Sequence, residues 1–273
     1  KRLEEEGVHV TYGLLGLKTH SKIALVVRED EDGIIRRYLH LGTGNYNHAT
    51  ARSYEDFGFF TCDPQIGADA TDLFNYLTGY SAIDKFRKLM VAPITLRQKF
   101  TDLIENEIDI QKNGGQGHMI LKMNSLVDRK MIRQLYIASQ AGVQVDLLVR
   151  GISCLKTGLP GISENIQVIS VLGRYLEHSR IYYFANNGDP KILMGSADLM
   201  PRNLNNRVEV LFPIEDQVLI KRVKKEILDI YLRPETRAWE MNSAGDYNWR
   251  CSDPETCFDI QDYFRKKAAK RKL

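Results

Sequence analysis

Two stretches decide how this chain is read: THSKIALVV at 19–27 and EHSRIYYF at 177–184. Each carries a histidine, a serine and a basic side chain in succession, His20 with Lys22 and His178 with Arg180, and then runs into β-branched or aromatic residues that favour a strand. Each is followed by a turn and a second strand-like run ending in small residues, LHLGTGN at 39–45 and ILMGSAD at 192–198. The histidines stand 158 residues apart and the loops 153, with Gly42 matching Gly195 and Asn45 matching Asp198. The longer first turn, EDEDG, absorbs the difference. The offset of 153 also aligns Asp56 in YEDFGFF with Glu209 in RVEVLFP. Three matched features in one order indicate an internal duplication. They imply two related domains, 1–92 and 93–273, divided near Pro93.

Outward from these repeats the pattern alternates strands and helices. Residues 17–27 and 36–47 read as a hairpin around Gly33. Helical spacing follows over 68–90, with Leu73, Phe74, Leu77 and Tyr80 on related faces and Pro93 as the breaker. A second helix is expected over 95–111, ended by NGGQG, and a third over 128–141, capped by Gly142. HMILKMNSL at 118–126, a strand and its exit, and VQVDLLVRG at 143–151, a buried strand, flank the latter, which makes a parallel α/β unit. A further helix is expected over 220–231.

With 43% hydrophobic and 27% charged residues over 273 positions, the composition is that of a globular chain. It contains no apolar run of the roughly 18 residues that a membrane helix needs. No apolar segment follows the first charges as in a signal peptide, and the chain starts without Met, which reads as a fragment. The net charge of +3 is small, but the last nine residues carry six basic side chains, read as a solvated terminus. Cys62, Cys154, Cys251 and Cys257 match no common zinc spacing and are expected to be reduced.

Residues two apart in a strand share a face, so His20 with Lys22, and His178 with Arg180, would each present an imidazole beside a cation. That pairing suits an anionic substrate, the cation holding phosphate oxygens while a neutral imidazole offers a nucleophile. The two small-residue loops add main-chain N–H groups and short polar side chains. Asp56 or Glu209 could orient the other ring nitrogen, and the sequence leaves open which acid serves which histidine. Arg150 closes the strand VDLLVRG, at the end of an α/β strand where ligands gather. His9, His40, His48 and His118 read as structural or exposed, with His40 on the opposite sheet face from Leu39 and Leu41.

The order H-x-K or H-x-R, then G-S/T-x-N/D, then an acid, resembles the phospholipase D superfamily, in which two half-sites face each other. The longer stretches LKTHSKIALVVRED at 17–30, YLHLGTGNYNHATARSYEDFGFFT at 38–61, ASQAGVQVDLLVRGISCLKTGLPGISENI at 138–166, GRYLEHSRIYYFANNG at 173–188 and GSADLMPRNLNNRVEVLFP at 195–213 are similar to the C-terminal half of polyphosphate kinases. The resemblance implies an α/β fold of two phospholipase D-like domains, each a mixed sheet flanked by helices, the first truncated at its N-terminus. It implies reversible transfer of the ATP γ-phosphoryl group to inorganic polyphosphate through a phosphohistidine. His20 would be the nucleophile, His178 the second essential histidine, and Tyr54, Arg150 and His178 the ATP contacts. Lys22, Asn45, Arg180 and Asp198 would be phosphate contacts. Mg²⁺ is the expected cofactor, on family ligands that lie upstream of His20 and outside this chain. ATP or ADP and polyphosphate are the expected partners, in a cytoplasmic homo-oligomer, peripheral at the membrane in a variant reading, with no nucleic-acid partner and no transmembrane segment. Phospholipase D sites carry an Asp soon after H-x-K, whereas IALVV has none, which disfavours a diesterase. Two alternatives stand beside the kinase: a phospholipase D-like phosphodiesterase, and a catalytically incomplete fragment that binds ATP or polyphosphate.

Overall fold

The computed structural model describes residues 2–79, 82–251 and 256–270. After a short helix α1 (Arg2–Glu5), the first half contains β1 (Lys18–Thr19), β2 (Ile23–Glu29), β3 (Ile35–Gly42), β4 (Tyr54–Glu55), β5 (Gly58–Thr61) and α2 (Pro64–Leu77). The second half runs β6 (Met90–Ala92), α3 (Leu96–Lys112), β7 (His118–Met123), α4 (Arg129–Gln140), β8 (Gln144–Val149), β9 (Ile166–Ser170), β10 (Leu176–Glu177), β11 (Ile181–Phe184), β12 (Lys191–Gly195), α5 (Pro201–Asn205) and β13 (Arg207–Ile214). A helical stretch follows, α6 (Gln217–Val223) joined through a π-helical turn at Lys224–Leu228 to α7 (Asp229–Leu232). The hairpin β14 (Trp239–Met241) and β15 (Tyr247–Trp249) and the helix α8 (Ile260–Ala269) complete the described elements.

Among the described residues the second half, joined by β1 of the first, builds a ten-stranded mixed sheet, ordered β1-β13-β12-β11-β7-β8-β9-β14-β15, with β6 also on β13. β7, β8 and β9 are parallel, as the strand–helix–strand pattern implied. β2, β3 and β5 form a separate antiparallel sheet. It corresponds strand for strand to β11, β12 and β13, so the duplication is structural as well as sequential.

The large sheet is apolar on both faces. On β7, Met119, Leu121 and Met123 join the core under α3 and α4, while Ile120 joins the opposite core. That opposite core is shared by both halves: Leu39, Leu41, Ile66 and Leu73 of the first pack with Val208, Val210, Phe212 and Ile214 of the second. Phe59 stacks on Phe212 at 5.7 Å between ring centroids. The halves are therefore joined by apolar burial and not only by chain connection.

Three expectations need correction. Residues 17–27 are not one strand: His20, Ser21 and Lys22 lie in the link between β1 and β2, and 178–180 lie likewise between β10 and β11. The physical reason is a change of sheet, because β1 pairs with β13 of the second half while β2 pairs with β3. The helix expected over 68–90 begins earlier, at Pro64 under an Asp63 N-cap, and stops at Leu77. Gly79 turns left-handed at φ 81°, and the buried carboxylate of Asp69 takes the main-chain N–H groups of Arg87, Lys88 and Leu89 at 2.8, 2.7 and 2.9 Å. Those donors cannot also continue a helix. Tyr80 and the basic residues Arg271 and Lys272 lie outside the described residues. Finally, Cys251 and Cys257 are joined in a disulfide across a six-residue separation, their Cα atoms 6.2 Å apart and so within bridging range. Cys62 and Cys154 are free and exposed.

Leu41 is fully buried in the shared core. Leu41→Ala is expected to cost about 2–5 kcal/mol, read from the shift of a urea unfolding midpoint at constant slope.

Candidate active site

The break at each histidine hands the chain across the internal two-fold. His20 and Ser21 both donate their main-chain N–H groups to the Val208 carbonyl, at 2.9 and 3.0 Å. In the counterpart, His178 donates to the Glu55 carbonyl at 3.2 Å, and β10 pairs with β4 of the first half. The result settles which acid serves which ring. His20 Nδ1 lies 2.8 Å from Glu209 Oε2 of the second half, and His178 Nδ1 lies 2.8 Å from Asp56 Oδ1 of the first. Each imidazole is oriented by the carboxylate of the other half.

The small-residue loops brace this frame in matching fashion. Thr43 N–H donates to the Phe57 carbonyl and Ser196 N–H to the Val210 carbonyl, both at 3.0 Å. The Thr43 and Ser196 hydroxyls accept from Phe57 N–H and Val210 N–H, at 2.9 and 3.1 Å. Thr43 Oγ1 also donates to Asp56 at 2.7 Å. Gly195, at φ 157°, lies so close to the Val210 carbonyl that a Cβ there would meet its oxygen at 2.0 Å.

The charges break the symmetry. Arg180 is buried and ion-paired to Asp198, with Nε–Oδ1 at 3.2 Å and Nη2–Oδ2 at 3.0 Å. The pair holds Asp198 below the usual carboxylate range against the upward push of burial. These two expected phosphate contacts therefore satisfy each other. Lys22, the counterpart of Arg180, is 6% exposed and donates to the His20 carbonyl. Among the described residues it forms no ion pair. Burial lowers its pKa to about 8, with Glu209 pulling the other way. Asn45, the counterpart of Asp198, is exposed.

The two imidazoles differ as well. Arg180 Nη1 lies 3.2 Å from His178 Nε2, and a guanidinium can only donate. His178 Nε2 must accept, so the ring proton sits on Nδ1 and faces Asp56. Burial lowers the pKa of His178, aided by Arg180 and opposed by Asp56, which keeps the ring neutral near pH 7. His20 directs Nδ1 at Glu209, and its Nε2 has no hydrogen-bond partner among the described residues. Its side chain is 19% exposed against 9% for His178.

Beside His178 opens a cleft of about 370 Å³ lined by Tyr54, Arg150, Arg174 and Tyr175 among others. The Tyr54 ring lies 4.9 Å from the His178 ring. Arg150 donates to the Asn124 side chain and the Glu177 carbonyl, and among the described residues it is bound to no carboxylate. The structure thus brings together Tyr54, Arg150 and His178, and His20 with Lys22, whose charge acts on His178 as well. Beneath them Lys122, wholly buried, contacts Glu55 at 3.1 Å, Glu177 at 3.0 Å and Ser179 Oγ at 2.7 Å. Tyr231 and Gln261 donate to Glu177 at 2.6 and 2.7 Å. Despite burial, the two carboxylates hold Lys122 above the ordinary lysine range. Neither Lys122 nor Asn124 was legible as a site residue, since both sit in an apolar strand or its exit. His40 is hydrogen-bonded to Tyr46 and His118 to Asp146, both away from the site, and His9 and His48 are exposed.

Comparison with known proteins adds independent findings. The family description "Polyphosphate kinase C-terminal domain 2" matches residues 89–261, and "Polyphosphate kinase C-terminal domain 1" matches 1–83. The chain is 51% identical over its whole length to a polyphosphate kinase of Prosthecochloris aestuarii, of which it covers 38%. It is 53% identical over 98% of its length to one from Synechocystis sp., of which it covers 37%. The chain therefore spans less than two-fifths of the length of these curated relatives. The crystal structure of polyphosphate kinase from Porphyromonas gingivalis superposes with a TM-score of 0.90 at 38% identity, over 99% of this chain and 42% of that one.

Two outcomes follow from the charges. Lys22 is expected to lose its proton as pH rises through about 8; an NMR titration of its side chain reads it, and Lys22→Arg is expected to lack that step. Lys122→Met, which strands two carboxylates, is expected to cost about 3–5 kcal/mol in a denaturant titration.

Proposed function

The chain belongs to the polyphosphate kinase family, and from that premise we propose that it transfers the ATP γ-phosphoryl group reversibly to inorganic polyphosphate through a phosphohistidine on His20. The supporting observation is that, among the described residues, Nε2 of His20, backed by Glu209 at 2.8 Å, has no hydrogen-bond partner and the flanking Lys22 no ion pair. In the first step Nε2 bonds to the γ-phosphorus, the bond to the β,γ-bridging oxygen breaks, and ADP leaves with that electron pair. The imidazole then carries positive charge, which its Nδ1–H shares with Glu209. In the second step a terminal polyphosphate oxygen attacks phosphorus and the P–N bond returns its pair to Nε2. Phosphoryl transfer is mainly positioning and charge neutralisation. We assign Lys22 and Arg150 to the phosphate oxygens, Tyr54 with His178 to the nucleotide, and His178 to acid/base or charge stabilisation at the second step. Arg180 and Asp198 act as a mutually neutralised pair that holds His178, and Asn45 as a contact at the exposed mouth.

The same proposal includes two phospholipase D-like halves, 1–92 and 93–273. It includes ATP or ADP and polyphosphate as substrates, a cytoplasmic homo-oligomer that meets the membrane at most peripherally, and no nucleic-acid partner. No helix among the described residues is long and apolar enough to cross a membrane. Mg²⁺ is the cofactor of this reading. Among the described residues no group of three or more His, Cys, Asp or Glu side chains is placed to hold a metal ion, so no step is routed through one.

Incubation of the protein with γ-labelled ATP is expected to yield acid-labile, base-stable label, absent in His20→Ala. Glu209→Gln is expected to slow labelling by about 10²-fold or more. Undiminished label in His20→Ala would sink the assignment, and nucleotide binding without any label would reduce the chain to a binding module.

A further inference from the structure

Asn124 stands just past the end of β7, and its parallel neighbour β8 ends one residue before Arg150. It is 4% exposed. Its main-chain N–H donates to Asp198 Oδ1 at 2.7 Å. Its side-chain Nδ2 donates to the His178 carbonyl at 3.1 Å. Its Oδ1 accepts from Arg150 Nε at 3.0 Å and Arg150 Nη2 at 2.5 Å. One residue therefore touches the anchor of Arg180 through its main chain, and the backbone of the second histidine and the guanidinium in the cleft through its side chain.

The neighbouring arginines are held by opposite means. Arg180 faces a carboxylate and is neutralised. Arg150 faces two neutral oxygens, Asn124 Oδ1 and the Glu177 carbonyl, and its Nη1 has no hydrogen bond among the described residues. An aspartate at 124 would fit the same space and grip the guanidinium more tightly. It would also cancel the charge and set an oxygen against the His178 carbonyl. An alanine would leave Arg150 tied to the Glu177 carbonyl alone.

We propose that Asn124 is a positioning residue that selects for phosphate-bearing ligands, fixing the Arg150 fork through a neutral acceptor so that its full charge remains for phosphate oxygens. The proposal rests on the nucleotide reading of the cleft. It makes Asn124 an intermediary between Arg150 and His178, with no ligand contact of its own.

The test is a double-mutant cycle between Asn124 and Arg150, read as equilibrium affinity of the protein for a non-hydrolysable β,γ-imido ATP analogue, with thermal unfolding measured on every variant. Asn124→Ala is expected to weaken binding about tenfold, and Asn124→Asp clearly more, while in an Arg150→Gln background each costs less than about twofold. If Asn124→Asp does not fold, Asn124→Ser takes its place in the cycle, with the same loss of coupling expected. Equal penalties in both backgrounds, or an Asn124→Asp no worse than Asn124→Ala, would show a merely structural role and overturn the proposal. Wild-type affinity in Arg150→Gln alone would overturn the nucleotide reading of the cleft, and this inference with it.

Discussion

Each candidate-site imidazole in this chain directs its Nδ1 at a carboxylate that belongs to the other half. His20 depends on Glu209 and His178 on Asp56, both at 2.8 Å. Much of the architecture serves that exchange. For His20 to reach Glu209, β1 must leave its own hairpin and pair with β13. For His178 to reach Asp56, β10 must leave the large sheet and pair with β4. The price is a break in each histidine strand, where main-chain donors turn to carbonyls of the opposite half. The shared apolar core, including the Phe59–Phe212 stack, holds the exchanged strands in register.

A symmetric frame does not make a symmetric site. Duplication supplied two imidazoles, two acids and two cations, but the cations have different neighbours. Asp198 neutralises Arg180, and Arg180 in turn occupies Nε2 of His178. Among the described residues Lys22 forms no ion pair, and Nε2 of His20 is left open. Arg150 is steered by neutral oxygens. Uncompensated positive charge therefore gathers around His20 and the adjoining cleft, where a polyanion gains most from it. The opposite arrangement under His178, where Lys122 is locked between Glu55 and Glu177, leaves no positive charge to spare and serves rigidity.

Sequence patterns carried most elements because burial leaves a periodic trace. The helices at Leu96–Lys112 and Arg129–Gln140 and the parallel strands around the second of them came within a residue or two of expectation. The expected helix over 68–90 stops at Leu77, with Gly79 left-handed just past its end, and farther on the buried carboxylate of Asp69 captures three consecutive main-chain donors at 87–89, an event with no local signature. The joining of Cys251 to Cys257 was missed for a similar reason. Spacing says nothing of whether a loop folds its ends to within 6.2 Å.

The duplication, and with it the pairing of each histidine with a cation, a small-residue loop and an acid, was determined by sequence alone, because repeated chemistry at a constant offset survives in one dimension. The crosswise assignment of acids to histidines was decided only by the tertiary structure. So were the neutralisation of Arg180, the freedom of Lys22, and the parts played by Asn124 and Lys122. Each depends on contacts between residues 18 to 189 positions apart, where strand exchange and burial set the partner and linear order carries no information about it.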